Sequence, residues 1–417
     1  MKILPIIYLV YMFIALYMFF FFLLLYLKNK KHLFEYPKAK KIYSLSIIIP
    51  CYNEEAGIKG TIESVLKADY PGLKKVIVVD DCSKDNSFKI IKEIAWKDKR
   101  VIAVQTPRNT GNAAGAKNYG IKFADTELIG FSDADSFIQK DAISKMIGFF
   151  DDKETGAVTC AVLVKETDSF IRKLQAFEYT MIAWTRKLLE YIEGIWATPG
   201  PLAIYRASII KKIGGYDSKN LTEDIEIVWR IAKNGWKVKM CLAARVYSIA
   251  PKKFSYWFRQ RIRWDVGGLQ CINKYKSLFM RKGMLGFFII PFFTLSLVLG
   301  LIGLGIFFYI AGTSIIQNFL FVDYTATAGT HLLALEDINL NPTILNFFGI
   351  VLFLLGLFFT LAGLGIMGER RGGFRNIFNL LFYLIIYLTI YPSIMLFAIG
   401  KIIKYRIQGK RIGWLTR

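Results

Sequence analysis

Histidine is almost missing from this 417-residue chain: His32 and His331 are the only two. That argues against a Ser-His-Asp or Cys-His hydrolase and leaves acid–base chemistry to carboxylates. Cysteine offers little more. Cys51, Cys82, Cys160, Cys241 and Cys271 are scattered, odd in number and without a C-x-x-C pair. They argue against a disulfide framework and a zinc site, and reduced thiols are the plain reading. Acidic residues are also scarce, 32 against 55 lysines and arginines, for a net charge of +23. A basic surface attracts phosphate, so nucleic acid is one partner to weigh. No nucleic-acid-binding motif is present, and 54% of the residues are hydrophobic, too many for an ordinary soluble chain of this length. The charge is therefore assigned to a protein seated on an anionic lipid bilayer, with no nucleic acid partner.

The apolar excess is concentrated at the two ends. Residues 4–27 (LPIIYLVYMFIALYMFFFFLLLYL) are long enough to span a bilayer and run straight into KNKKH,. No signal-peptidase pattern is evident, so residues 1–28 read as an uncleaved anchor with its N-terminus outside and the following chain cytoplasmic. Three further spans are expected at 284–311, 344–367 and 376–400, within a C-terminal membrane region of 284–405 followed by a basic tail at 406–417. The loop 312–343 has no lysine or arginine and belongs outside, whereas 368–375 and the tail belong inside,. A full span at 376–400 conflicts with the tail's assignment; a break at Pro392 or a re-entrant loop would reconcile them. Gly300, Gly303 and Gly305 would let helices approach closely,.

Between these blocks the pattern changes. Short β-branched runs at 45–50, 75–80, 101–105, 127–133 and 156–164 alternate with helical stretches. This predicts an α/β domain with a mainly parallel sheet covered on both faces, whose ligand crevice lies at the carboxyl ends of the strands. Residues 168–194 and 252–276 each predict a long helix, readable either as core or as lying in the membrane interface. Polar clusters fall at the strand ends. Asp80 and Asp81 close the second strand; Asp133 and Asp135 close the fourth. Each pair alone is compatible with turn carboxylates or helix caps. Two pairs at two strand ends point instead to a site, and the D-x-D spacing suits Mg²⁺ or Mn²⁺ bound to few carboxylates plus substrate phosphate. Thr222, Glu223 and Asp224 alone would read as an N-cap with first-turn acids. Gln260 and Trp264 share a helix face, with Arg263 adjacent.

In order, S-I-I-I-P-C-Y-N-E-E, V-V-D-D-x-S-x-D, D-A-D, G-G-Y-D with T-E-D, and Q-x-x-R-W resemble the family 2 glycosyltransferases. The likeness is to the membrane-integrated synthase branch that includes hyaluronan, cellulose and poly-N-acetylglucosamine synthases, over about residues 44–275. The resemblance implies a cytoplasmic, Rossmann-like GT-A domain at 44–250 inserted between transmembrane helices, and an interfacial Q-x-x-R-W helix at 251–280. It also implies an inverting, metal-dependent transfer from a nucleotide-sugar donor of the UDP-sugar kind. By the same resemblance Tyr52 and Glu54 lie against base and ribose, and Asp81 contacts the nucleoside. Asp133 and Asp135 form the D-x-D, with Asp135 the direct metal ligand, and Asp224 is the general base. Glu223, Gln260, Arg263 and Trp264 hold diphosphate and acceptor. The sequence departs from many synthases in having Asn112 where they place lysine; Lys117 would supply that charge. The acceptor implied is a growing polysaccharide. A lipid-linked acceptor taking a single sugar is the alternative, and a non-catalytic membrane scaffold is the alternative of another class.

Overall fold

The apolar runs form strands where their β-branched residues place them. These are β1 (Leu45–Cys51), β2 (Leu73–Asp80), β3 (Val101–Gln105), β4 (Leu128–Phe131) and, later, β6 (Thr155–Val164). The computed structural model describes residues 3–327, 344–368 and 377–409. Three strands not foreseen from the sequence, β5 (Ser136–Ile138), β7 (Ala203–Arg206) and β8 (Lys237–Ser248), complete one sheet of order β3-β2-β1-β4-β7-β6-β8-β5. β1 pairs in parallel with β2 and β4, β2 with β3, and β6 with β8. β7 runs against β4 and β6, and β5 against β8. The sheet is thus mixed, with two reversed strands in a mainly parallel array.

The pleat explains the two-sided core. Ile47, Ile49, Val76 and Val78 face one cluster; Ile48, Ile77 and Val79 face the other,. The anchor helix α1 (Ile3–Asn29) precedes the sheet. α2 (Ile58–Leu66), α3 (Ser87–Lys97) and α5 (Ala142–Ile147) supply the first cluster, while α4 (Ala113–Ile121) covers the second. α4 lies so close that a side chain at Gly120 would meet Ile48 and Val79. The 21-residue helix α6 (Phe170–Glu190) rests on β6 and β8 and also meets α1. Two shorter helices follow, α7 (Ala207–Lys212) and α8 (Glu223–Lys233), and then α9 (Phe254–Tyr275).

Among the described residues, four helical runs are long and apolar enough to cross a membrane: Pro5–Asn29, Leu285–Thr313, Gly349–Met367 and Ile377–Ile407. They comprise α1, α10 (Ile290–Thr327), α11 (Ile344–Met367), α12 (Ile377–Phe382) and α13 (Leu388–Ile407). Pro392 does not break the last run. A π-helical turn at Tyr383–Tyr387 precedes it, and α13 runs through the proline from Leu388 to Ile407. Gly300 stands against Pro392 and Gly303 against Tyr11, while Gly305 meets nothing. Two of the three glycines therefore pack helices. α6 contacts α11, with Gly363 against the Trp184 ring, and α9 contacts both α8 and α13. α6 and α9 thus join the α/β domain to the spans by side-chain packing, Leu174, Phe177 and Trp257 clustering with Leu364, Leu380 and Tyr387. The expected inside loop at 368–375 and the end of the basic tail lie largely outside the described residues, as does most of the loop before α11.

Candidate active site

The sheet positions the site by ending its strands at one edge. Beyond Cys51 the chain turns sharply: Asn53 has φ of 53°, a left-handed conformation asparagine tolerates. Its amide oxygen accepts from the Lys84 N–H at 2.8 Å, and its own N–H donates to Ser83 Oγ at 3.0 Å. The loop after β1 is thereby stapled to the loop after β2. Tyr52 is left exposed and Glu54 half-buried at this rim, with the Glu54 N–H donating to Ser87 Oγ at 2.8 Å.

Asp81 is buried and its oxygens are engaged. Oδ1 accepts from Thr106 Oγ1 at 2.7 Å and from the Thr110 N–H at 3.0 Å; Oδ2 accepts from Thr110 Oγ1 at 2.9 Å. It orders the loop after β3. Asp80, which had no assigned role, accepts from Gln105 Nε2 at 2.8 Å, and its other oxygen is buried without a partner among the described residues.

Lys117 is the centre of the arrangement. It projects from α4, whose N-terminus is capped by Asn112 accepting from the Gly115 N–H at 2.9 Å. The ammonium is buried, 3.0 Å from Glu223 Oε1 and 3.8 Å from Asp133 Oδ1, and 5.1 Å from the centre of the Tyr216 ring. Two amide bonds fix the register. Asn118 Nδ2 donates to the Tyr216 carbonyl at 2.8 Å, and its oxygen accepts from the Tyr216 N–H at 2.7 Å. Burial works against the Lys117 charge, but the carboxylates of Glu223, Asp133 and Asp224 outweigh it and hold its pKa above the ordinary value.

The acids at the start of α8 are not an ordinary cap. Thr222 makes no side-chain capping bond; its hydroxyl turns to Asn220 Oδ1 at 3.2 Å. Glu223 takes Lys117 instead, and Lys117 and Arg263 keep it ionised below the usual range despite burial. Asp224 is half-exposed. Burial and the adjacent Glu223 charge push it up to about 6, against the pull of Lys117 and Arg263. Arg263 donates to the Leu221 carbonyl at 3.2 Å, which brings the Q-x-x-R-W helix α9 against the T-E-D turn.

Asp133 and Asp135 are both half-exposed, in the crossing from β4 to β5. The structure therefore brings together Lys117, Asp133, Glu223, Asp224 and Arg263. Tyr52, Glu54 and Asp81 stand on the rim made by the loops after β1 and β2.

One residue escaped the sequence reading. Arg261 is fully buried between the members of the Q-x-x-R-W motif. Its guanidinium donates to Glu178 at 3.1 and 2.5 Å and to Gln260 Oε1 at 2.6 Å, and lies 3.9 Å from the centre of the Trp264 ring. Tyr387 and Tyr391 of the last span also donate to Glu178, and Trp257 Nε1 donates to the Tyr387 hydroxyl at 2.6 Å. One buried ion pair thus ties α6, α9 and the last span together. The only sequence signal was a charge on the apolar side of α9. Glu178→Gln leaves the Arg261 charge buried without a counter-ion, and a loss of about 3–5 kcal/mol is expected. Thermal unfolding of the detergent-purified protein measures it; an unchanged melting temperature would contradict the clamp.

The parallel half-sheet, with a reversed strand beside β4, is the architecture of a GT-A fold. Residues 46–214 match the model of glycosyl transferase family 2. The chain is similar to poly-beta-1,6-N-acetyl-D-glucosamine synthases. It is 31% identical to one from Staphylococcus epidermidis over 232 residues, which is 55% of each chain. It is 30% identical to one from Staphylococcus aureus (strain COL) over 230 residues, again 55% of each. The match thus spans about half the length of these curated relatives. In fold it is similar to the mannosyltransferase PcManGT from Pyrobaculum calidifontis, solved in complex with GDP-Man and Mn²⁺. The TM-score is 0.55 at 19% identity, covering 87% of this chain and 99% of that one.

Proposed function

We propose that this protein transfers a sugar, with inversion, from a nucleoside-diphosphate sugar of the UDP-sugar kind to the end of a growing glycan. The transfer takes place on the cytoplasmic side of a cell membrane. The observation that carries this is the buried Lys117 ammonium, which spans the D-A-D segment at Asp133 and the T-E-D turn at Glu223. It sets a donor-side acid and an acceptor-side acid around one point. Inversion needs one in-line displacement. The acceptor oxygen bonds to the anomeric carbon, the bond from that carbon to the diphosphate breaks, and a carboxylate takes the hydroxyl proton. Asp224, held near 6, is the group suited to that last task.

Within this reading Tyr52, Glu54 and Asp81 support the nucleoside. Gln260, Arg263 and Trp264 face diphosphate and acceptor, Arg263 through its fork of donors. Among the described residues no group of three or more metal-binding side chains occurs. Mg²⁺ shared with a diphosphate needs only one or two protein carboxylates. The two half-exposed acids Asp133 and Asp135, in one short crossing, fit such an ion, Mg²⁺ or Mn²⁺. When bound, the ion offsets the charge that grows on the leaving diphosphate. The GT-A domain is assigned to 44–250, and the Q-x-x-R-W helix to 251–280.

The test is incubation of the purified protein with a panel of nucleotide sugars and Mn²⁺, UDP-N-acetylglucosamine among them because of the relatives' product. Nucleoside diphosphate release and product size are both scored. Release together with products that lengthen over time is expected. A product that stays at one added sugar and partitions with lipid would instead establish the glycolipid alternative, and no release with any donor would leave the scaffold reading.

A further inference from the structure

Deeply buried cations in this protein come with acids. Lys117 has Glu223, Lys187 has Glu190 at 2.7 Å, and Arg261 has Glu178. Arg186 on α6 breaks the pattern. It is 4% exposed, and its Nε is sealed from solvent without an acceptor among the described residues. A guanidinium is costly to bury unless its fork of donors is met. Burial holds its pKa down to about 10, with the Asp224 carboxylate acting in the opposite sense.

Its surroundings place this charge on the acceptor side. The guanidinium carbon lies 5.7 Å from the centre of the Trp196 ring, and Trp196 meets Phe293 of the second span at 5.4 Å. From Trp196 the chain runs without regular structure to Gly200. Along it the Thr198 N–H donates to the Asp224 carbonyl at 3.3 Å, and Gly200 stands against the Asp133 carboxylate. One short segment therefore touches the membrane span, the unmet cation, the proposed base and a donor-side acid.

We propose that Arg186 is an oxyanion-binding residue of the acceptor site, holding a phosphate or carboxylate group of the acceptor beside Asp224. This rests on the transferase reading above and adds that the acceptor is anionic. The planar fork of arginine matches two oxygens of either group, and the Trp196 ring lies within cation–π reach of the guanidinium,. The oxyanion is held and not changed: the bond to the anomeric carbon forms at an acceptor hydroxyl, whose proton goes to Asp224. A phosphate would belong to a lipid-linked primer, and a carboxylate to an acidic sugar at the chain end.

The experiment reads binding, so that it does not depend on turnover. Full-length protein in detergent is titrated by equilibrium dialysis with farnesyl phosphate against farnesol, and with a glucuronate-ended disaccharide against its glucose-ended counterpart. At least one charged probe is expected to bind tenfold or more tighter than its neutral partner. Arg186→Met removes the buried charge with little change of length, and is expected to erase that preference; Arg186→Gln serves as the polar second variant. Folding of both is checked by elution profile and melting temperature. The proposal is overturned if neither charged probe outbinds its neutral partner, or if folded Arg186→Met keeps the preference. Nucleoside diphosphate release by the unmodified protein, measured separately, tells such a failure apart from failure of the transferase reading.

Discussion

Asp224→Asn is expected to lower turnover roughly 10²–10⁴-fold, the usual contribution of a positioned general base, while leaving donor binding in place. The amide keeps the shape and cannot take the proton. The charges around Asp224 also set a pH dependence. Burial and Glu223, with Asp133 adding to them, raise its pKa to about 6, while Lys117 and Arg263 lower it. A base acts in its ionised form, so turnover is expected to fall as the pH drops through about 6 and to level off above it. Removing a positive neighbour disfavours the ionised form, so Lys117→Met is expected to move the inflection to higher pH. Turnover measured at saturating donor and acceptor, across about pH 5 to 8, checks both statements. A near-normal rate for Asp224→Asn under those conditions would refute the assignment.

Asp135→Asn is expected to cost roughly 10²–10³-fold in turnover, the scale of losing a group that stabilises charge in the transition state. The protein should remain folded, since Asp135 is half-exposed and lies outside the two main apolar clusters. The companion measurement is removal of divalent ions. Excess EDTA is expected to stop nucleoside diphosphate release, and added Mn²⁺ to restore it in the unmodified protein but poorly in Asp135→Asn. Full activity in excess EDTA would show that the D-A-D acids serve the structure alone. The two variants differ in a further respect. Loss of Asp135 should weaken retention of the donor's diphosphate, whereas loss of Asp224 should not.

Much of this was open to a reading of residues in order, because the signals are local. Strands of a parallel sheet covered on both faces read as short, nearly continuous β-branched runs, so those at 45–50, 75–80 and 101–105 declared strands that the structure shows as β1, β2 and β3,. A bilayer demands about twenty apolar residues, so length alone marked the four spans,. The acids stood out because they interrupt or end those runs. Pairings across long separations were another matter. Lys117 meets Glu223 across 106 positions, and Arg261 meets Glu178 across 83; no local periodicity encodes either. Thr222 carries the sequence mark of a cap, yet its hydroxyl bonds Asn220 two residues before it, and a tertiary contact gives Glu223 to Lys117. The short strands β5 and β7 have too few residues to show a period, and only their partners in the sheet define them. Pro392 reads locally as a break, but the helix runs through it, with Gly300 of the second span against the proline ring. By itself the sequence determined the apolar strands β1, β2, β3, β4 and β6, the long apolar helices and which acids follow the strands, since these follow from local composition and spacing along the chain. Which charge meets which, and the raised pKa of Asp224, were decided by the tertiary structure, because the energy of a buried charge depends on neighbours that only folding brings near.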